Sequence, residues 1–383
     1  MTPFDFQLRT RIVFGPDTID RLGELASELG ARRALVVSDS GVIAAGHTQR
    51  GLDALKRAGI DAHLFEGVHE NPSTADVDKG VSFAKRHDPE VLVGLGGGSS
   101  MDCAKGINFL YSNGGKMQDY WGVGKALKPM LPMIAVPTTS GTGSETQSFA
   151  LISDAKTNAK MACGDKKASC RIAILDPKLT LTQPPRVTAL TGIDAIAHAL
   201  ETYVTTRRNP VSLIYSREAW RLLAANFGRV LDDPTDLEAR AAMQLGATYA
   251  GVAIENSMLG ATHALANPLT ATYGIVHGEA IGMMLPHVIR FNGEKHDAWY
   301  RELLEASCDD NGVPRPSSGP GGLADFVASL VEKAGLATRL PDLNVEESKL
   351  SELAAAAATQ WTGTFNPREV GESELLGLYR QAF

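Results

Sequence analysis

Asp194, His198, His263 and His277 are the side chains whose types and spacing most directly imply chemistry in this sequence. One carboxylate and three imidazoles are grouped as two pairs, each in a segment otherwise rich in Ala and Leu. Asp194 and His198 are four residues apart within residues 191–201, a spacing that a helix turns into neighbours on one face. His263 falls in a second stretch that reads as helix, residues 256–266. His277 follows in Tyr273-Gly274-Ile275-Val276-His277-Gly278, where glycines bracket what reads as a close turn. Polar groups carried into apolar helices are costly unless something satisfies them. Three neutral nitrogens and a carboxylate suit Fe(II), Zn(II), Co(II) or Ni(II) and leave a coordination position open for substrate.

A second group of residues reads as a nucleotide site. The apolar run Val91-Leu92-Val93-Gly94-Leu95 passes directly into Gly96-Gly97-Gly98-Ser99-Ser100-Met101-Asp102-Cys103-Ala104-Lys105. Glycines after a strand let the backbone approach a diphosphate, and the amides opening the next helix donate to it. The pattern is neither GxGxxG nor a P-loop, so a tight strand-to-helix turn without ligand stands beside that reading. The loop at residues 137–145, Pro-Thr-Thr-Ser-Gly-Thr-Gly-Ser-Glu, also follows a strand and offers hydroxyls to a ribose, a nicotinamide or a phosphate. Asp39 follows the strand at residues 34–37. An acidic side chain there can accept from an adenosine ribose and repels a 2′-phosphate; a turn aspartate is the plainer alternative.

The elements that must position these groups fall into two halves. Residues 34–37, 62–65, 91–95, 133–136 and 172–175 read as buried strands, and segments such as 19–29 and 51–58 read as helices between them. This alternation predicts an α/β N-terminal dinucleotide-binding domain with a parallel sheet covered on both faces. After Pro184-Pro185 the strand signal ends, and an all-helical C-terminal domain is expected over residues 184–383, following residues 1–183. Residues 309–322, rich in Pro, Ser and Gly, read as the one long loop. The alanine run at 354–358 reads as helix.

Composition narrows the partners. With 383 residues, two domains are expected, and 44% hydrophobic content is ample for their cores. A formal charge of −7 with scattered Lys and Arg argues against nucleic acid. No apolar run is long enough for a bilayer, and the opening residues lack the basic and apolar regions of a signal peptide, so a cytoplasmic protein is expected. Cys103, Cys163, Cys170 and Cys308 form no ligand spacing and read as reduced thiols.

Taken together, these segments resemble the iron-containing (group III) alcohol dehydrogenases over nearly the whole chain. Phe14-Gly15, Asn71-Pro72, Gly96-Gly97-Gly98-Ser99 with Asp102 and Lys105, the 137–145 loop, Asp176-Pro177 with Leu179-Thr180, residues 192–201, His263, His277-Gly278 and Asn366-Pro367-Arg368 all fall in the family's order. The resemblance implies an active site between the two domains and assigns Asp194, His198, His263 and His277 to Fe(II), with Zn(II) in some members. It implies NAD as cofactor, with Gly97, Gly98 and Ser99 at the diphosphate and Thr138, Thr139 and Thr142 lining the cofactor. Lys160 and Leu179 would lie near the nicotinamide end, Asn71 near the adenosine half, and Asp39 where NAD-preferring relatives carry Asp. A homodimer or larger homo-oligomer is usual for such proteins.

The expected activity is a hydride exchange between NAD(H) and a small alcohol or aldehyde, with the metal as Lewis acid. One position departs from the family pattern. Many members carry a histidine four residues after the third ligand, and this chain has Asn267 there, which can hydrogen-bond at a catalytic position but cannot take up a proton. Phe149, Ile254, Leu259 and Trp361 are the expected apolar pocket. The alternative, a dehydroquinate-synthase-like metal- and NAD-dependent lyase, would need a basic pocket, and no Arg and Lys cluster lies near the expected ligands.

Overall fold

The structure, a computed structural model, describes residues 3–157, 159–307 and 313–383. Its contacts divide the described chain into two compact units. One comprises residues 7–139 and 143–183; the other comprises residues 3–6, 140–142 and 184–383.

The first unit is built on a parallel sheet. Strands β1 (Arg11–Phe14), β2 (Arg33–Asp39), β3 (Asp61–Val68), β4 (Val91–Gly96), β6 (Met133–Pro137) and β9 (Ile172–Leu175) stand in the order β1-β9-β6-β4-β2-β3. Three further strands, β5 (Gly122–Val123), β7 (Phe149–Ser153) and β8 (Lys160–Gly164), form a small separate sheet in which β7 and β8 pair antiparallel. Helices α1 (Leu22–Glu28), α2 (Ser40–Ala44), α3 (His47–Arg57), α4 (Thr74–His87) and α5 (Gly98–Asn113) connect the strands of the large sheet.

Side chains of the central strands alternate between two apolar clusters. Leu35, Val37, Leu92, Met133 and Ala135 lie in one, whereas Ala34, Val36, Val93, Leu95, Ile134 and Val136 lie in the other. Both faces are therefore covered, and this is why β4 is buried throughout and reads as an uninterrupted apolar run. The small sheet escapes sequence reading because its strands are short and because apolar residues occupy both faces of β7: burial alternates along Phe149–Ser153, yet the exposed position is Leu151, so the sequence itself shows no alternation.

The second unit contains α6 (Pro185–Val204), α7 (Pro210–Asp232), α8 (Leu237–Asn256), α9 (Ala261–Tyr273), α10 (His277–Glu305), α11 (Gly319–Lys333), α12 (Leu350–Ala358) and α13 (Glu372–Gln381). Among the described residues it has no strand. Proline occupies the first turn of α6 and α7, where its missing N–H costs nothing. From Gly192 to Val204 every residue of α6 is buried, so this helix runs through the core of its unit. No helix is long and apolar enough to cross a membrane among the described residues.

Three sequence expectations change. Residues 256–266 are not one helix: α8 stops at Asn256, Ser257 and Gly260 leave helical dihedrals, and α9 restarts at Ala261. His263 thus sits in the first turn of α9. The expected turn around His277 is shorter than its two glycines suggested, because only Gly274 (φ +68°) closes α9 while Gly278 already belongs to α10. The expected long loop at 309–322 is cut short by a 3-10 turn at Pro316–Ser318 and by α11, which opens at Gly319 with proline in its first turn. Residues 309–312 of that loop and Cys308 lie outside the described residues; the other three cysteines are buried and unpaired in disulfides.

Candidate active site

In the helical unit, three imidazoles converge on one carboxylate oxygen. Asp194 Oδ1 lies 3.4 Å from His198 Nε2, 3.6 Å from His263 Nε2 and 3.8 Å from His277 Nε2. Ligand atoms of Asp194, His263 and His277 all fall within 4.8 Å of one another. Helix α6 supplies Asp194 and His198 from successive turns of one face; the first turn of α9 supplies His263 and the first residue of α10 supplies His277.

The close approach of α10 to α6 depends on Gly278. A Cβ at that position would stand 2.3 Å from the Leu190 carbonyl oxygen, so only glycine lets the start of α10 reach the Asp194 helix. His198 is oriented from behind, its Nδ1 lying 3.3 Å from the Gly141 carbonyl oxygen. As a donor to that oxygen, Nδ1 carries the proton and Nε2 is left bare.

Asp194, His198 and His263 are buried and His277 is half-buried, yet the group is incomplete in its hydrogen bonding. Asp194 Oδ1 and His263 Nε2 have no hydrogen-bond partner, although both residues are nearly enclosed. Such orphans are costly in a folded core unless something else satisfies them. A cation bonded at about 2.1 Å to tetrahedrally placed donors would hold them roughly 3.4 Å apart, close to the observed N···O separations. The residues therefore fit a divalent metal such as Fe(II) or Zn(II).

Electrostatics agree with that reading. Burial works against the charge of Asp194, but the three imidazoles hold its carboxyl well below the usual range. Burial pushes His198 down and keeps its imidazole neutral. Burial also opposes charge on His263, but the Glu201 carboxylate, which also bonds Nδ1, and the nearby Asp194 charge outweigh it and push that imidazole up to about 9. In metal-free protein below pH 9, His263 therefore carries a proton that a metal must displace. Higher pH removes the competitor, so apparent Zn(II) affinity is expected to rise about tenfold per pH unit between roughly pH 6.5 and 8.5. Chelator competition at several pH values checks this; a flat profile would refute it.

The α/β unit gathers most of the expected cofactor residues at the carboxyl ends of its strands. Gly96 (φ +151°) ends β4, and a Cβ there would collide with Ser100 Oγ at 2.4 Å and approach Asp39 Oδ2 at 3.0 Å. Gly97 then precedes α5 as an N-cap without a side chain, leaving the first amides of that helix open to a ligand. Asn71, itself at φ +53°, donates its backbone N–H to Ser99 Oγ at 3.3 Å and accepts from Lys160 Nζ at 3.4 Å. Asn71, Ser99 and Lys160 thus form one polar group. Thr138 donates its backbone N–H to the Gly96 carbonyl, and the Thr139 methyl would stand 3.3 Å from a Cβ on Gly97. Thr142 groups with the helical unit instead.

Asp39 is more than a turn residue. Its Oδ1 accepts from the Gly41 and Val42 amides, capping α2, and its Oδ2 accepts from buried Ser100 Oγ. Leu179 stands apart from the polar group, with its side chain enclosed in the apolar cluster of Val36 and Ile174. Of the expected pocket residues, Ile254 is buried, Trp361 is exposed beside Phe365, and the Phe149 ring packs on Gly164. Asn267, one turn beyond His263, donates from Nδ2 to Gln360 Oε1 at 3.0 Å.

Other motif residues serve the scaffold. Lys105 Nζ is fully buried and donates to the carbonyls of Ser144, Gln147 and Phe149, while Ser144 Oγ donates to Asp102. Asp176 is likewise fully buried and accepts from the Ile19 and Lys178 amides. Asn366 pairs with Asn292 and caps α9 through the Ala261 amide. Sequence reasoning singled out none of these contacts, and it also passed over Glu201, which bonds His263. The signal for Glu201 was present, since it lies seven residues after Asp194 on a helix and therefore on the same face.

A donor set of this kind, in one chain with a parallel sheet and a glycine turn, fits a metal-dependent enzyme that binds a nucleotide. Comparison with known proteins narrows the class. The family descriptions "Iron-containing alcohol dehydrogenase" and "Fe-containing alcohol dehydrogenase family, C-terminal" match residues 9–177 and 188–383. The 1,3-propanediol dehydrogenase of Klebsiella pneumoniae is 32% identical over 383 residues, covering 99% of each chain. A crystal structure of 1,3-propanediol oxidoreductase superposes with a TM-score of 0.95 at 32% identity over 100% of both chains. Sulfoacetaldehyde reductase from Bifidobacterium kashiwanohense, solved in complex with NAD+, has a TM-score of 0.90 at 27% identity, over 100% of this chain and 99% of the other. The chain belongs to the iron-containing alcohol dehydrogenase family and is an alcohol oxidoreductase.

Proposed function

We propose that this protein is an NAD(H)-linked, metal-dependent alcohol dehydrogenase and aldehyde reductase acting on a small alcohol or aldehyde. The observation that carries the reading is the convergence of His198, His263 and His277 on Asp194, with Asp194 Oδ1 and His263 Nε2 buried and unpaired. When bound, the metal polarises the substrate oxygen and the nicotinamide exchanges hydride with the carbon bearing it. The chain's own part is to hold four donors rigidly and to leave the first amides of α5 for the cofactor diphosphate. Asn267, one turn beyond His263 on α9, adds an amide but no titrating group; we assign it to orienting a substrate hydroxyl or the cofactor ribose. A relative solved with NAD+ supports the choice of cofactor class.

The test is an NADH-oxidation screen over short aldehydes, hydroxyaldehydes and semialdehydes with Fe(II)-loaded enzyme. Turnover that chelator removes and Fe(II) restores is the expected result. Full activity in metal-free protein would overturn the reading.

A preference for NAD(H) over NADP(H) follows from the Asp39 carboxylate at the end of β2. Asp39→Gly should improve the NADP-to-NAD ratio of kcat/KM by on the order of a hundredfold, the equivalent of about 2.8 kcal/mol of relieved repulsion. Asp39→Asn should recover part of that gain, because it removes the charge while keeping an oxygen for the Gly41 and Val42 amides. Wild-type enzyme that favours NADPH would show the assignment of Asp39 to be wrong.

A further inference from the structure

Behind the metal centre, the buried carboxylate of Glu201 has each oxygen committed to a different donor. Oε1 accepts from the Thr262 backbone N–H at 2.7 Å, and Oε2 accepts from His263 Nδ1. The side chain is 4% exposed. Glu201 lies three residues after His198 and seven after Asp194, so α6 presents all three on one face. The first amides of α9 are shared between Glu201 and Asn366, whose Oδ1 accepts from the Ala261 N–H at 3.2 Å. Gly260 makes room for both: a Cβ there would stand 3.0 Å from Asn366 Oδ1 and 3.1 Å from Glu201 Oε1.

We propose that Glu201 is a positioning residue for the metal centre, holding the His263 imidazole in the tautomer and rotation that present a bare Nε2 to the metal. The inference rests on the metal-binding reading above. A proton on Nδ1, bonded to Oε2, leaves Nε2 as the ligating nitrogen, and Nε2 is the atom left unpaired beside Asp194. The second bond, to the Thr262 amide, keeps the carboxylate from swinging, so the ring is tied to the backbone of its own helix.

A carboxylate is the group this arrangement needs, because both of its oxygens accept. Glutamine has one oxygen for two donors. If its oxygen takes the Thr262 N–H, its NH2 faces Nδ1 and can donate only when the ring proton sits on Nε2, which blocks ligation. If the amide is flipped, Nδ1 is satisfied but the NH2 confronts the Thr262 N–H, donor against donor. Either way the site loses something that Glu201 provides.

The competing explanation is that Glu201 only caps α9. Asn366→Ala separates the two, since it removes the other cap of that helix and leaves the His263 bond alone. Purified wild-type, Glu201→Gln and Asn366→Ala proteins are stripped and titrated with Zn(II) against a chelator. Co(II)-loaded samples are compared by visible absorption and by the shifted Nδ1–H proton resonance of His263. Metal-free melting temperature and NADH fluorescence report on the fold.

Glu201→Gln is expected to bind Zn(II) about 10- to 100-fold more weakly, to change the Co(II) absorption bands and to lose the His263 Nδ1–H resonance, while Asn366→Ala keeps near wild-type affinity and bands. Equal affinity and spectra for Glu201→Gln and wild type would overturn the inference, as would an equal loss in Asn366→Ala. Should Glu201→Gln not fold, Glu201→Asp takes its place; its charge is kept but its reach is a methylene short, so weakened metal binding with altered bands is again expected, and wild-type behaviour refutes the inference. Wild-type protein that binds no metal would instead remove the metal-binding reading on which the inference stands.

Discussion

His263→Ala is expected to leave a protein that retains little metal and has lost nearly all turnover, while NADH still binds. The expectation comes from where His263 stands. Its Nε2 is one of the two unpaired buried atoms of the centre, and its Nδ1 anchors the ring to Glu201. Alanine removes a ligand and also strands the Glu201 carboxylate, which is buried and would keep only the Thr262 amide. Loss of the Lewis acid removes the stabilisation of charge on the substrate oxygen, a contribution of several kcal/mol, so kcat should fall by on the order of a thousandfold or more. The Gly97–Ser99 turn lies in the other compact unit and is untouched, so the NADH dissociation constant should stay close to that of wild type. Metal analysis, NADH fluorescence titration and turnover measured on one preparation check all three. A His263→Ala enzyme with full metal content and normal kcat would exclude this residue from the ligand set.

Gly278→Ala should strongly damage both the stability of the helical unit and its metal centre. Its Cβ would stand 2.3 Å from the Leu190 carbonyl oxygen and 2.8 Å from the carbonyl carbon, and these are backbone atoms of α6 that no rotamer change can move aside. Relief requires the start of α10 to withdraw from α6, and His277 is the first residue of α10. Overpacking in a fixed core costs about 1–3 kcal/mol, occasionally more, and here the strain falls on the contact that brings His277 to Asp194. Both a lower melting temperature and weaker metal binding are therefore expected. Gly377→Ala is the control, since a Cβ there meets nothing within 4 Å inside α13. It should stabilise slightly, by about 0.5–1 kcal/mol. A Gly278→Ala protein with wild-type stability and metal affinity would show that α10 can shift without cost to the centre.

Local physics made much of this protein legible from its sequence. The strands at residues 34–37, 91–95 and 133–136 announce themselves because both faces of the sheet are covered, which leaves unbroken apolar runs. Asp194 and His198 could be paired because a helix of fixed pitch brings residues four apart together whatever the rest of the chain does. Glycine at the end of β4 marked the turn into α5 for a reason equally local, since Gly96 takes a backbone angle other residues avoid. What depends on distant segments could not be read this way. The break between α8 and α9 is stabilised by Glu201 and by Asn366, the latter more than a hundred residues away in the chain, and so residues 256–266 looked like one helix. Gly278 reads as a turn until the Leu190 carbonyl is in place against it. The sequence offered Asp39 as a ribose acceptor or a turn residue, and Lys105 and Asp176 only as members of a family pattern; the partners that hold each of them come from other segments that the fold brings in. Residue type and spacing determined which atoms could bind a metal, because those follow from side-chain chemistry and helix pitch. Only the tertiary structure decided that three imidazoles share one carboxylate oxygen and that a fifth, unanticipated residue, Glu201, holds one of them in place, because those contacts are made between helices whose approach is set by packing.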